Sequence, residues 1–498
     1  MLDAVTALHL ANRLGFGPAP GDLEHIKDKG FEGYLDEQLN ANVEQLPGPL
    51  QALLHDLPTF GKSTFDLYRH YFWKVLGENG SRPPRAERNL YKPVMRQVAV
   101  QARMARMARA MASPHRLHES LVDFWFSHFN VFEHKGLDRV WVGAYEEEAI
   151  RPHALGRFRD ILFATATHPA MLVYLDNWKN VAPGGPGLGK SATGINENFA
   201  REVMELHTLG VDGGYTQKDV TALAHLLTGW TVGTDPDGGD NVEGLGRAKK
   251  DVALGGFRFV ARVHDNTPQI FLGRKFKGGG RADGEAALLM LAQHPSTARH
   301  ISFKLAQYFV ADDPPADLVT DMAGLFQKTD GDIKAVVRAM LTSKSFRNRG
   351  NFGRKFKTPY QYVVSVARVS AMNPRNAAPL AEELKAFGQP IYGCVTPDGY
   401  ACTERAWLNA DALISRLAFA MKFGSGAYMQ AYLADLGYGS MSKSARLQPE
   451  QGGTPVAADR LLAILNAELG DKTRSAVARA AKADRAGLIL GSPEFMRC

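Results

Sequence analysis

Apolar residues recur at helical spacing along most of this chain, and prolines and glycines divide the pattern into segments. From Thr6 to about Leu39 it predicts a helical hairpin. A Gly-Pro turn covers Gly15–Gly21, and a second helix is capped by Asp22 with Leu23 and Ile26 on its apolar stripe. Val94–Met111 is a run of strong helix formers ended by Ser113-Pro114, and the next helix carries His118, Leu121, Phe124, Trp125 and His128. Helical patterns follow at Val142–Arg151 and, after Pro152, around Phe158, Ile161 and Leu162. His168-Pro169 and His294-Pro295 open helices, since proline suits a first turn. The clearest helix is NENFAREVMELHTLG, Asn196–Gly210, and Thr216 caps a helix expected over Gln217–Trp230. Between Gly255 and Phe276, FRFVARV and IFLGRKF alternate and predict a small β-hairpin. Helices return from Asp283 onward. The expected fold is mainly α, a multi-helix globular array with one small β-hairpin insertion at about 255–276.

The length of 498 residues exceeds the roughly 250–300 at which a single core stops growing. The organisation expected is one large helical domain over 1–437 with a helical tail, 438–498, packed on it. Hydrophobic residues make up 45% and charged residues 22%, which excludes a disordered or collagen-like chain, and no apolar run predicts a membrane span. The net charge of +7 is a small excess, concentrated at Arg82, Arg85, Arg88, Lys92, Arg96, Arg103, Arg106 and Arg109. This stretch reads as a solvated helix face or a surface for an acidic partner, and nucleic-acid binding is disfavoured. Three cysteines cannot make a disulfide framework, although Cys394 and Cys402 can pair across their short loop. The start of the sequence lacks a signal-peptide pattern, so the expected location is the cytoplasm, or the exterior with a leader removed.

On the Asn196 helix, Glu197, Arg201 and Glu205 fall in one i, i+4, i+8 row, with Asn198 and Glu202 beside it. Two carboxylates around an arginine suit general acid/base work when their surroundings push their pKa values apart, and they equally suit a solvated face. Arg151, His153, Arg157, Arg159 and Asp160 form a second polar concentration, whose arginines should pair with the acids of the Asn196 helix or clamp an anionic group. Trp178, beside Asp176, and Trp230 offer flat faces of the kind sugars stack on, or are core. The histidines belong to no local metal motif, so no metal ligand and no cofactor is named. Gly184–Ser191 fits the letters of a phosphate loop without a preceding strand or a helix opening at its Lys-Ser.

NRLGFGPAPGD, VDFWFSHFNVF, IRPHALGRFRDILFATATHPAMLVYLDN, the Asn196–Val220 segment, LTGW, HPSTARHISFKLAQYFV and AWLNADALISRLAFA together resemble the bacterial domain-of-unknown-function 1800 family over nearly the whole chain. The resemblance implies a helical protein, often exported and often encoded beside sulfatase- or phosphatase-like proteins, and it carries no reaction. His264-Asp265 is similar to the family's His-Asp motif, but Gln269 stands where a lysine is usual.

The leading expectation is a hydrolase of a glycan or other polyhydroxylated or polymeric substrate. Its acid/base candidates are Glu202 with Glu205 or Glu197, assisted by Asp176 and His153. Arg151, Arg157, Arg201, Asn196, Asn198, Trp178 and Trp230 would bind substrate. The alternatives are a metal- or haem-dependent oxidoreductase and a non-catalytic partner or export-assembly protein for a neighbouring gene's product.

Overall fold

The computed structural model describes residues 2–72, 85–184, 194–233, 255–428, 455–465 and 467–498. The architecture is mainly helical. A long helix, Arg85–Ala112, packs against the helices Arg116–His128, Asp138–Tyr145, Pro359–Val369 and Ala377–Ala386. One continuous apolar core runs through these elements from Ala7 to Met496. The last residues are tied into it, with Lys355 N–H donating to the carbonyl of Cys498 and Arg485–Leu490 packing on Ala410–Gly424. Among the described residues no helix is long and apolar enough to cross a membrane.

Helix starts follow local chemistry. Thr216 and Asp219 form a capping box, as do Thr358 and Gln361. Both His-Pro pairs work alike: the His168 and His294 rings accept from the backbone N–H two residues on, while proline fills the first helical position. Asp22, expected as a cap, is instead the first helical residue after Gly21 (φ 87°). Its carboxylate takes Arg368 at 2.7 Å and Arg116 at 3.2 Å, so it joins the hairpin to two distant helices.

The β-structure is split more widely than the alternating segments suggest. The hairpin within 255–276 is Gln269–Phe271 with Arg274–Phe276, turned at Leu272 and Gly273. Gly256–Phe259 pairs instead with Trp230–Gly233. The helix expected to reach Trp230 stops at Leu226, because the chain turns at Gly229 (φ 77°). Any Cβ at Gly229 would lie 2.8 Å from the Val260 carbonyl oxygen, so this close strand approach needs glycine.

Among the described residues π-turns occur at Tyr68–Phe72, Glu146–Ile150 and Val203–Thr208. The one at Glu146–Ile150 turns Glu146 into the core and leaves Glu147 half-buried beside it. Arg151 is only 5% exposed and meets Glu119 at 3.0 Å, Glu146 at 2.8 Å and Glu147 at 3.0 Å. Its partners are therefore its own neighbours and the Arg116–His128 helix, not the acids of the Asn196 segment, and it does not clamp a ligand. Arg103, Arg106 and Arg109, placed by sequence on a solvated or partner-facing stripe, also turn inward, to Glu133, to Asp123 and Glu146, and to Glu147. The side chains of Arg82, Arg85, Arg88 and Lys92 lie outside the described residues.

Breaking such a buried network leaves uncompensated carboxylates, which costs about 3–5 kcal/mol. Arg151→Met should lower the unfolding free energy by that order in urea titrations. Arg338→Met, which removes a pair exposed to solvent with Asp36, should cost at most about 1 kcal/mol. Equal losses for the two variants would contradict the assignment.

Candidate functional site

One concavity among the described residues is a cleft, partly open to solvent, whose walls come from distant parts of the sequence and carry several charged and polar side chains. The helix Arg116–His128 contributes Asp123, Phe124, Ser127 and His128. The helix Pro295–Phe309 contributes Lys304, Gln307 and Tyr308. The third wall is the irregular segment from Gln389 to Cys402, and Arg106 and Tyr360 close the floor.

The irregular wall is fastened by hydrogen bonds. Ser127 Oγ donates to the Tyr400 carbonyl and accepts from its N–H, and the Asn130 amide donates to the carbonyls of Cys394 (3.0 Å) and Thr396 (2.8 Å). Tyr400 donates to the Pro390 carbonyl. At Gly399 (φ 71°) a Cβ would collide with the Ser127 carbonyl, so the wall lies flush on the helix. These bonds hold an otherwise loop-like segment in one shape.

The floor is charged and satisfied. Arg106 donates to Asp123 at 2.7 Å and to Glu146 at 2.9 Å, Tyr308 donates to Asp123 at 2.8 Å, and Tyr392 donates to Glu146 at 3.0 Å. Burial raises the Asp123 carboxyl above the usual range although Arg106 opposes it. Burial would raise Glu146 too, but Arg106 and Arg151 together hold it below.

Above the floor the balance differs. His300, Lys304 and Tyr308 form an i, i+4, i+8 row on one helix. Lys304 makes no ion pair or hydrogen bond with any described residue, and burial pushes its ammonium below the ordinary lysine range, while Cys402 and Asp398 pull the other way. Close by, His128 lies 6.1 Å from His207 and 6.2 Å from His300 between ring centres. Burial, with the Lys304 charge, drives His207 down to about 3 and His300 to about 4, so these rings are neutral. Because His128 Nε2 faces the His207 carbonyl it donates there, which leaves Nδ1 as an acceptor with no partner. Among the described residues, no group of three or more His, Cys, Asp or Glu is arranged to hold a metal ion.

Most residues singled out from sequence lie elsewhere. Glu197 is tied to Thr221 (2.6 Å), Gln217 (2.7 Å) and Arg201 (3.1 Å) on the flank of the helix Gln217–Leu226, and these bonds, Thr221's foremost, hold its carboxyl low. Asn196 and Asn198 donate to the carbonyls of Asp176 and Leu175, joining backbone segments. Asp176 (φ 60°) lies between Lys135 and Lys179, both at 2.8 Å. Arg157 donates to the Thr329 carbonyl at 2.8 Å, and His153 is half-buried. Trp178 is half-buried under the Lys179 ammonium, whereas Trp230 is fully buried and cannot be a stacking face. Glu202 and Glu205 do not line the cleft either, but Glu202 lies within electrostatic reach of it. The π-turn follows Glu202 directly, and its carboxyl is raised by burial, by Glu205 and by the charge of Asp398 on the cleft wall. Glu205 receives the Tyr215 hydroxyl at 3.4 Å.

The profile of the family described as "Protein of unknown function (DUF1800)" matches residues 9–497. The chain belongs to the DUF1800 family. No curated protein and no solved structure matches it. Of the His-Asp motif, Asp265 hydrogen-bonds His225 Nδ1 and the Thr267 N–H, His264 donates to the Thr228 carbonyl, and Gln269 is bonded to Thr267. The candidate phosphate loop lies, apart from Gly184, outside the described residues.

The cleft residues were within reach of sequence reasoning. The row His300, Lys304, Tyr308 and the pairing of Asp123 with Ser127 and of Phe124 with His128 are visible as helical spacing, but nothing local shows that the two helices face each other. The cysteines do not pair: Cys394 contacts Thr396, and Cys402 Sγ lies 3.9 Å from Gln307 Oε1. Thiol titration of the unfolded protein without reductant should therefore count three thiols per chain. A count of one, with peptide mapping that places the bridge at Cys394–Cys402, would overturn this wall of the cleft.

Proposed function

We propose that this DUF1800 member is a hydrolase of a sugar-containing or polyhydroxylated substrate, working by carboxylate general acid/base catalysis beside the cleft, with Glu202, within electrostatic reach of Asp398 on the cleft wall, as the acid. The observation that supports it most is the upward shift of Glu202, caused by burial and by its like-charged neighbours Glu205 and Asp398. Such a shift favours the protonated form that a general acid needs. Glu202 gives its proton to the leaving-group oxygen as the bond from carbon to that oxygen breaks. Asp398 or Glu205 takes a proton from the water whose oxygen bonds to the same carbon. Glu197, held by three partners, leaves the acid/base set and becomes a positioning residue for the segment.

The test is turnover on a panel of oligosaccharides, read as release of reducing ends. Glu202→Gln should lower kcat by roughly 10²–10⁴-fold. The wild type should lose activity as pH rises through the elevated Glu202 pKa, because the acid works protonated, and the Gln variant should lack that limb. Unchanged kcat and an unchanged pH profile would remove the assignment.

A further inference from the structure

Every cation buried without a partner costs free energy, and folded chains nearly always place an acid beside it. Of the two cations lining the cleft, Arg106 is buried and follows this rule, whereas Lys304 is half-buried and reaches the cleft unpaired. Arg106 is neutralised by Asp123 and Glu146. Lys304, on the opposite wall, has no ion pair or hydrogen bond to any described residue; Cys402 and Asp398 are felt only through their charge. The nearby rings of His128, His207 and His300 supply no negative charge.

The surrounding donors make this vacancy in charge pairing specific. Asn130, Tyr308 and Tyr400 have already committed their hydrogens to Cys394 and Thr396, to Asp123 and to Pro390. Lys304 lines the same cleft with its ammonium uncommitted. An ammonium is a compact point charge with three donors, suited to an oxyanion from outside rather than to a planar bidentate partner.

We infer that Lys304 is the receptor for an oxyanion carried by the substrate, so that the cleft takes an acidic polyhydroxylated molecule, bearing a carboxylate, sulfate or phosphate, in preference to a neutral one. This rests on the cleft being the substrate site of the proposed hydrolase, but it concerns binding, not proton transfer. The bound anion supplies the counter-charge that no described residue gives Lys304 by direct contact.

Four probes on the full chain test it by calorimetry or chemical-shift titration: glucuronate, inorganic sulfate, inorganic phosphate and, as the neutral control, glucose. At least one of the three anions should bind with tenfold or greater preference over glucose, and the tightest identifies the oxyanion. Lys304→Met should lose that preference and Lys304→Arg should keep part of it. A second measurement needs no variant: the preferred anion should protect Lys304 from acetylation by acetic anhydride, read by peptide mass, and glucose should not. Failure of all three anions to bind, equal binding by Lys304→Met, or acetylation unaffected by the anions would overturn the inference. Glu202→Gln separates it from the hydrolase reading. That variant should bind the anion as the wild type does, so anion binding with unaltered Glu202→Gln turnover would refute the acid assignment and leave the Lys304 site standing.

Discussion

The guanidinium of Arg106 is the point on which this structure turns. It is 7% exposed, paired with two carboxylates on different elements, and enclosed by the rings of Phe126, Tyr360 and Tyr392 at 4.9, 5.2 and 5.5 Å. Through Asp123 it fixes the helix Arg116–His128, and through Glu146 the π-turn. Tyr392, which shares Glu146, adds the irregular wall. A buried charge held this way fixes relative positions more sharply than apolar packing, because any partner that moves away leaves a desolvated ion behind. The cleft is the space that remains when these elements are held apart around one cation.

That arrangement explains the division of labour around the cleft. Groups on the floor are mutually satisfied and serve as scaffold, whereas Lys304 and the Nδ1 atom of His128 are left without partners above it. Glu202 immediately precedes a π-turn, and the charges it feels are those of Glu205, Arg201 and, from the cleft wall, Asp398.

Much of the fold was legible because it depends on local rules. Helical periodicity, the Thr216 cap, the His-Pro openings and the Ser113-Pro114 break all appear where spacing and capping chemistry put them. What failed to read depends on distant contacts. Gly256–Phe259 alternates like a strand, but its partner is Trp230–Gly233, whose residues look like the end of a helix. The arginines at Arg103, Arg106, Arg109 and Arg151 were recognisable as needing acids, yet which acids they meet is set by packing. Glu119, Glu133 and Glu146 carry no mark in the sequence. The Asn196 helix drew attention for its charges, and only its Glu202–Glu205 portion comes under the influence of the cleft wall.

Arg106 and its two carboxylates act as one unit. A double-mutant cycle with Arg106→Met and Glu146→Gln, read by urea unfolding of the four proteins, tests it most directly. Residues sharing a buried network couple by about 0.5–3 kcal/mol, so the double variant should be less destabilised than the sum of the single variants by an amount in that range. Strict additivity of the two losses would show that the pair does not hold the cleft together.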